Sequence, residues 1–271
     1  MIKDLYTLML KYNFKPSHKL DQNFIIDDNT ILRVVKELEL KKTDVVLEVG
    51  PGTGFLTKKL LEDCKQVIAI EKDKKMIYIL EQEFATEIKN KKLILITSDF
   101  LTIDLSKYNY TKLATFLPYS ISQEFIEKIL GEKKLMVGVV QKEFAEKLVS
   151  FPGFINYNAV SALSQSYFEV TTVKNISKKC FFPVPSCESA IIKLKPNKKE
   201  MDERYNLFVK NLFRYPNKDI SNALNLVSRD QKNREISENS KNLKSEILDK
   251  KVRQIEIKEL EKIYSVVYSI V

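Results

Sequence analysis

The chain has 271 residues, 44% of them hydrophobic, so it is not a wholly disordered chain and can form one sizeable domain with a smaller one. Its 45 lysines and arginines exceed its 36 aspartates and glutamates, and the net charge of +9 favours a polyanionic partner such as nucleic acid. A single histidine, His18, excludes His-based catalytic triads. The three cysteines lack metal-ligand or redox spacing, so we expect free thiols and no metal site.

The first fourteen residues have apolar side chains at helical spacing and lack the features of a signal or transit peptide. No apolar run approaches the length of a membrane span. We therefore expect a soluble, cytoplasmic protein without a membrane partner. A basic, irregular segment follows, and residues 29–40 are predicted to form a helix capped near Asn29.

Five short apolar segments then alternate with helical patterns near residues 55–63, 74–87 and 121–130. The five segments lie at residues 44–50, 65–73, 92–99, 112–116 and 134–141. This alternation predicts an α/β fold with a mostly parallel sheet covered on both faces. Two later segments, 169–176 and 188–196, are predicted to be antiparallel edge strands.

The composition changes at PNKKE, residues 196–200, and helical patterns dominate beyond it. We therefore expect two domains. Residues 1–195 contain the sheet, and residues 196–271 form a small all-helical domain.

Three consecutive predicted strands end in residues suited to a ligand. The first ends in EVGPGTGF, residues 48–55, where glycines let the backbone turn tightly and approach a bound molecule. The second ends in Glu71, and the third ends in Asp99 followed by Phe100. Ligands of parallel sheets bind at the carboxyl ends of strands, so these residues predict one binding site.

The fourth predicted strand ends in an unusual loop, FLPY. Pro118 cannot donate to a sheet ladder, and it holds Leu117 in an extended conformation. The sequence therefore predicts a stiff loop that presents Phe116 and Tyr119 at the end of a strand.

The pattern E-x-G-x-G-x-G resembles that of Rossmann-like, class I S-adenosylmethionine-dependent methyltransferases. With L-P-Y after the fourth strand, the chain resembles the ribosomal RNA adenine dimethyltransferase family, which includes the erythromycin-resistance methylases. The resemblance covers nearly the whole chain and extends to LDQNFIID, VVQKEFAEKLV, YNAVSALSQ, FFPVPSCESAIIKL and FRYPNKDISNAL.

The resemblance implies dimethylation of adenine amino groups in small-subunit ribosomal RNA, with S-adenosylmethionine as cofactor. It implies a monomer that acts on the immature small ribosomal subunit, with the helical domain binding RNA. The implied target-base pocket consists of Phe116, Leu117, Pro118, Tyr119 and Phe181, in which Tyr119 and Phe181 sandwich the adenine. The implied cofactor pocket consists of Gln22, Asn23, Ile25, Glu48, Gly50, Gly52, Gly54, Glu71, Asp99, Phe100 and Phe116.

The chain departs from the family pattern at Phe116, at Asp21, at Ser186, where the family often has Lys, and at Tyr215-Pro216-Asn217, which interrupts a basic run. Family members normally carry Asn at the position of Phe116, and a phenyl ring cannot accept a hydrogen bond from the target amino group. The family has Gly directly before the Gln of its L-G-Q-N-F segment, and this chain has Asp21 at that position, before Gln22. Two alternatives therefore stay open: an RNA-binding ribosome-assembly or transcription-factor-like relative with weak or lost activity, and a drug-resistance methylase for large-subunit RNA.

Overall fold

The computed structural model describes residues 1–197 and 202–270 and contains two compact units. The first unit consists of residues 1–145 and 170–196. The second consists of residues 146–169 together with the residues from 197 onward. The chain thus passes to the second unit beside the expected limit at 195, but the second unit also includes an earlier segment. The domain limits 1–195 and 196–271 stay a prediction.

Among the described residues, seven strands form one sheet, in the order β4-β3-β2-β5-β6-β9-β7, and β1 and β8 form a separate pair. The pairs from β4 to β6 are parallel, and β6 with β9 is antiparallel. The mostly parallel α/β fold is therefore confirmed. The strands are β1 (Phe24–Ile25), β2 (Val45–Val49), β3 (Gln66–Glu71), β4 (Leu93–Thr97), β5 (Lys112–Phe116), β6 (Leu135–Gln141), β7 (Phe168–Ile176), β8 (Phe181–Phe182) and β9 (Ser189–Pro196).

Helices lie between β2 and β3, between β3 and β4 and between β5 and β6, and they make up most of the chain's later part. They are α1 (Ile2–Lys11), α2 (Asp28–Glu37), α3 (Phe55–Asp63), α4 (Lys74–Glu83), α5 (Ala85–Lys89), α6 (Ser122–Ile129), α7 (Lys142–Leu148), α8 (Ala159–Tyr167), α9 (Glu203–Leu212), α10 (Ile220–Asp230), α11 (Arg234–Asn239), α12 (Ser245–Leu248) and α13 (Ile257–Val267).

Two local expectations were wrong. Helix α2 is capped by Asp27, whose carboxylate accepts the N–H of Thr30 at 2.9 Å, and Asn29 lies inside the helix. Strand β9 is not an edge strand, because it lies between β6 and β7. Its consecutive buried residues 189–192 face both sides of the sheet, which is typical of an interior strand.

The strand order places the candidate site. The chain runs from β2 outward through β3 to β4, and then returns to the other side of β2 with β5. At this reversal the loops after β2 and β5 leave in opposite directions, and the crevice between them is the usual ligand site of such sheets. Over the described ranges, 1–197 and 202–270, no helix is long and apolar enough to cross a membrane.

Candidate active site

A large cavity lies at the carboxyl ends of the parallel strands of the first unit. It has about 1050 Å³ of empty volume, including space open to solvent. Most site residues predicted from the sequence line it: Gln22, Asn23, Ile25, Gly50, Gly52, Glu71, Asp99, Phe100, Phe116, Leu117, Pro118, Tyr119 and Phe181. The structure thus brings together residues from the N-terminal segment, four strand ends and strand β8.

The glycine loop after β2 has a left-handed backbone conformation at Gly50 (φ 68°) and Gly52 (φ 54°). Residues other than glycine adopt this conformation only with backbone strain. A Cβ on Gly52 would stand 3.1 Å from the ring of Phe24. The loop leads into α3, whose first residues, Phe55 and Leu56, also line the cavity. The loop therefore presents bare backbone and a helix N-terminus to a ligand.

Glu71 is fixed at the end of β3 by two backbone groups. Its Oε1 accepts the N–H of Asp73 at 2.9 Å, and its Oε2 accepts the N–H of Gly52 at 3.3 Å. Burial raises the pKa of this carboxyl, and the two backbone hydrogen bonds partly oppose the increase. Each oxygen keeps a further lone pair for a ligand hydroxyl.

Asp99 and Phe100 follow β4. Asp99 accepts the N–H of Leu101 at 2.9 Å, which orients the carboxylate at the cavity wall. Phe100 is buried, and its ring packs against Phe125 with centroids 5.0 Å apart. The ring is thus a fixed apolar wall.

Two predicted residues, Glu48 and Gly54, do not line the cavity but lie beside it. A Cβ on Gly54 would stand 2.5 Å from the ring of Phe84, so this glycine allows α3 to pack against α4 and α5. Glu48 is 1% exposed, and neither of its oxygens has a hydrogen-bond partner among the described residues. Burial raises the pKa of Glu48 to about 8, although the nearby Thr57 hydroxyl lowers it.

The loop after β5 is anchored to the sheet on both sides of Pro118. The N–H of Leu117 donates to the carbonyl of Val139 at 3.1 Å. The hydroxyl of Tyr119 lies 2.6 Å from Oγ of Ser189. Burial raises the pKa of Tyr119, so its phenol is neutral at physiological pH. Phe116 is half-buried and packs against the core, so it forms an apolar wall.

Sequence reasoning missed how the N-terminal segment reaches the cavity. Strand β1 pairs with β8 so that Ile25 lies opposite Phe181. Both strands have two residues, too short for a periodicity to reveal. Further residues that line the cavity and were not predicted include Asp21, Phe24, Phe55 and Ile121. Asp21, Phe24 and Phe55 each adjoin a predicted site residue and Ile121 lies two residues after Tyr119, so proximity in the sequence was the available signal.

Solved structures share this fold. The crystal structure of a dimethyladenosine transferase from Plasmodium falciparum has a TM-score of 0.77 and 24% identity, over 89% of this chain and 95% of that chain. The 23S rRNA methyltransferase ErmE has a TM-score of 0.65 and 23% identity, over 91% and 100% of the two chains. At these identities the similarity establishes the class I methyltransferase fold.

Sequence relatives are closer. The probable ribosomal RNA small subunit methyltransferase A of Pyrococcus furiosus is 38% identical over 224 residues, 81% of this chain and 79% of that protein. The ribosomal RNA small subunit methyltransferase A of Clostridium botulinum is 37% identical over 191 residues, 68% of each. The sequence pattern of ribosomal RNA adenine dimethylases matches residues 13–263. With the glycine loop, the strand-end acids and the FLPY loop in one cavity, the chain belongs to the ribosomal RNA adenine dimethylase family.

Proposed function

We propose that the protein uses S-adenosylmethionine to dimethylate the amino nitrogens of adenines in small-subunit ribosomal RNA. One observation carries the proposal: a single cavity is lined both by the glycine loop with Glu71 and by the loop of Tyr119 with Phe181. A methyl donor and a base can therefore meet in it. The small-subunit names of the relatives support the choice of RNA.

The residues of one half of the cavity fit S-adenosylmethionine. Gly50 and Gly52 leave room for a ligand at the N-terminus of α3, which favours a carboxylate such as that of the methionine part. Glu71 offers acceptors for ribose hydroxyls, and Asp99 offers one for an adenine amino group. When bound, S-adenosylmethionine supplies a methyl group already activated on a sulfonium.

The remaining predicted cofactor residues have supporting roles in this proposal. Gln22, Asn23 and Ile25 close over the cofactor from the N-terminal segment, and Phe100 packs beside its adenine. Glu48 and Gly54 act from outside the cavity, since they shape the strand end and the loop that hold it.

The other half of the cavity suits an extruded adenine. The rings of Tyr119 and Phe181 flank the base, and such stacking contributes about 1–3 kcal/mol per base. The Leu117 carbonyl, held in place by Pro118, accepts a hydrogen bond from the amino group and turns its lone pair toward the methyl group. The alkylated nitrogen loses its proton readily to solvent, so the reaction requires no strong base.

The site does not favour the non-catalytic alternative. Phe116 removes one acceptor, but it leaves the Leu117 backbone and both flanking rings in the cavity. None of the relatives named above is described as an assembly factor without activity. We further propose that the protein acts in the cytoplasm as a monomer on the immature small subunit. Residues 196–271 contact RNA in this proposal, and the net charge of +9 of the whole chain favours binding to a polyanion.

The test uses the full chain and unmodified small ribosomal subunits. Calorimetry is expected to detect S-adenosylmethionine binding, and Glu71→Ala is expected to weaken it because the ribose acceptors are lost. Incubation with methyl-labelled cofactor is expected to yield dimethyladenosine, identified by mass spectrometry of nucleosides. Binding of the subunits without any labelled adenine, while a related enzyme methylates the same preparation, would overturn the proposed activity.

A further inference from the structure

Asp21 connects the N-terminal segment of the cavity, residues 17–25, to the loop that carries Tyr119. Its Oδ2 accepts the backbone N–H of Ser120 at 3.0 Å, across 99 positions of sequence. Ser120 directly follows Tyr119. Asp21 is in the left-handed conformation, with φ 53° and ψ 36°, which L-residues adopt at some cost and Asp or Asn adopt more readily than most. This backbone conformation aims the carboxylate across the cavity mouth.

The next residue, Gln22, connects the same segment to the cofactor half. Its Nε2 donates to Oδ2 of Asp73 at 2.6 Å. The N–H of Asp73 donates in turn to Glu71, which also accepts the N–H of Gly52. Polar contacts therefore run from Gln22 to the carboxylate and the glycine loop that we propose hold the cofactor.

Two consecutive residues thus hold the two halves of the cavity together. We infer that Asp21 is a positioning residue that makes cofactor binding and base binding cooperative, an inference that rests on the proposed function. A ligand that orders residues 17–25 also fixes Ser120, and the adjoining Tyr119 ring then loses less freedom when the base binds. A carboxylate suits this role because its hydrogen bond to an N–H is stronger than that of a neutral acceptor.

The test measures the affinity for unmodified small ribosomal subunits with and without saturating S-adenosylhomocysteine, which cannot donate a methyl group. In the parent, the protein without substitutions, we expect S-adenosylhomocysteine to increase the affinity for small ribosomal subunits by about 5-fold or more. In Asp21→Gly we expect the ratio of the two affinities, with and without S-adenosylhomocysteine, to fall to near one. Glycine adopts the same backbone conformation but lacks the carboxylate that accepts the N–H of Ser120. Asp21→Asn keeps a side-chain oxygen and a tolerance for this backbone, so most of the ratio is expected to remain.

Lys91→Gly is the matched control. Lys91 is exposed, has φ 56° and does not line the cavity, so this change relaxes a left-handed residue without touching Ser120. Its ratio is expected to equal that of the parent. A parent-like ratio in Asp21→Gly would overturn the inference, as would a parent without cooperativity. Both results are compatible with full methylation activity, whereas a parent that binds no cofactor would overturn the proposed function itself.

Discussion

The hydroxyl of Tyr119 lies 2.6 Å from Oγ of Ser189, a fully buried residue at the start of β9. Strand β9 pairs with β6, the same strand whose Val139 carbonyl accepts the N–H of Leu117. The FLPY loop is therefore held by the sheet at a backbone group and at the tip of an aromatic side chain. This fixes the ring against which we propose that the adenine stacks.

Two substitutions at Tyr119 separate the ring from its hydroxyl. Tyr119→Phe keeps the ring but leaves Ser189 without this partner, so we expect a loss of about 1 kcal/mol in the free energy of unfolding and largely retained methylation. Tyr119→Ala removes a stacking contribution of about 1–3 kcal/mol, so we expect much weaker base capture and almost no methylation. Steady-state kinetics and thermal melts provide the measurements. Equal rates in the two variants would rule out base stacking on this ring.

Phe116→Asn tests whether a side-chain acceptor is missing from the base pocket. The amide can accept a hydrogen bond from the target amino group, so we expect a higher methylation rate and little change in cofactor affinity. A lost electrostatic contact of this kind costs about 10²–10³-fold in enzymes, which sets the upper limit of the gain. Because Phe116 packs against the core, we also expect a lower melting temperature.

Phe116→Leu is the control for Phe116→Asn, since it removes the ring and adds no acceptor. A rate increase in both variants would mean that space, and not the acceptor, was limiting. A lower rate in Phe116→Asn would mean that the pocket is adapted to the phenyl ring. If neither the parent nor Phe116→Asn methylates subunits that both of them bind, the assembly-factor alternative is correct.

The parallel strands and the part of the cavity lining that lies at the strand ends were predictable because both follow from local patterns. Gln22, Asn23, Ile25 and Phe181 were expected in the cavity only from the family resemblance. Apolar segments bounded by Gly, Glu71 and Asp99 mark buried strands and their carboxyl ends, and the geometry of a parallel sheet brings those ends together. Strand β9 was misjudged because position within a sheet depends on which strand it pairs with, and a segment's own sequence does not encode that.

The contacts between distant segments were not predictable. The β1–β8 pair and the Asp21–Ser120 contact join residues far apart in sequence through two-residue strands and a single hydrogen bond. No periodicity accompanies such contacts. The unusual residue Asp21 was visible in the sequence, but its partner was not.

Alanine at Gly50 and at Gly54 is expected to have different consequences. At Gly50 a Cβ would meet no side chain within 4 Å, so the main costs are backbone strain of about 1–2 kcal/mol and intrusion on a bound cofactor. At Gly54 the Cβ would stand 2.8 Å from Leu80 as well as close to Phe84, so overpacking adds about 1–3 kcal/mol. We expect Gly50→Ala chiefly to weaken cofactor binding in calorimetry and Gly54→Ala chiefly to lower the melting temperature. The reverse ranking would contradict the geometry.

The affinity for small subunits is expected to fall steeply as salt concentration rises. A protein with a net charge of +9 that contacts phosphates releases condensed counterions, and the logarithm of its affinity then falls linearly with the logarithm of salt concentration. Filter binding at several potassium chloride concentrations measures the slope. An affinity that is independent of salt would contradict an electrostatic contribution to RNA binding.

Glu48 is expected to make stability depend on pH. Its pKa rises from an ordinary value of 4.5 to about 8 in the folded protein, because burial disfavours the charged form. At pH values between these two pKa values, Glu48 is deprotonated in the unfolded chain and protonated in the folded chain. Unfolding therefore releases a proton, and rising pH favours unfolding. The free energy of unfolding should therefore decrease by several kcal/mol from about pH 4.5 to about pH 8, at about 1.4 kcal/mol per pH unit. Above about pH 8 it should level off. Chemical denaturation at pH 5 and pH 8 measures the change.

The side chain in Glu48→Gln cannot ionise, so we expect the stability of this variant relative to the parent to increase from pH 5 to pH 8. Glu81→Gln, at an exposed position of α4, controls for the loss of one charge. A parent and a Glu48→Gln variant with the same pH dependence would show that Glu48 is ionised in the folded protein.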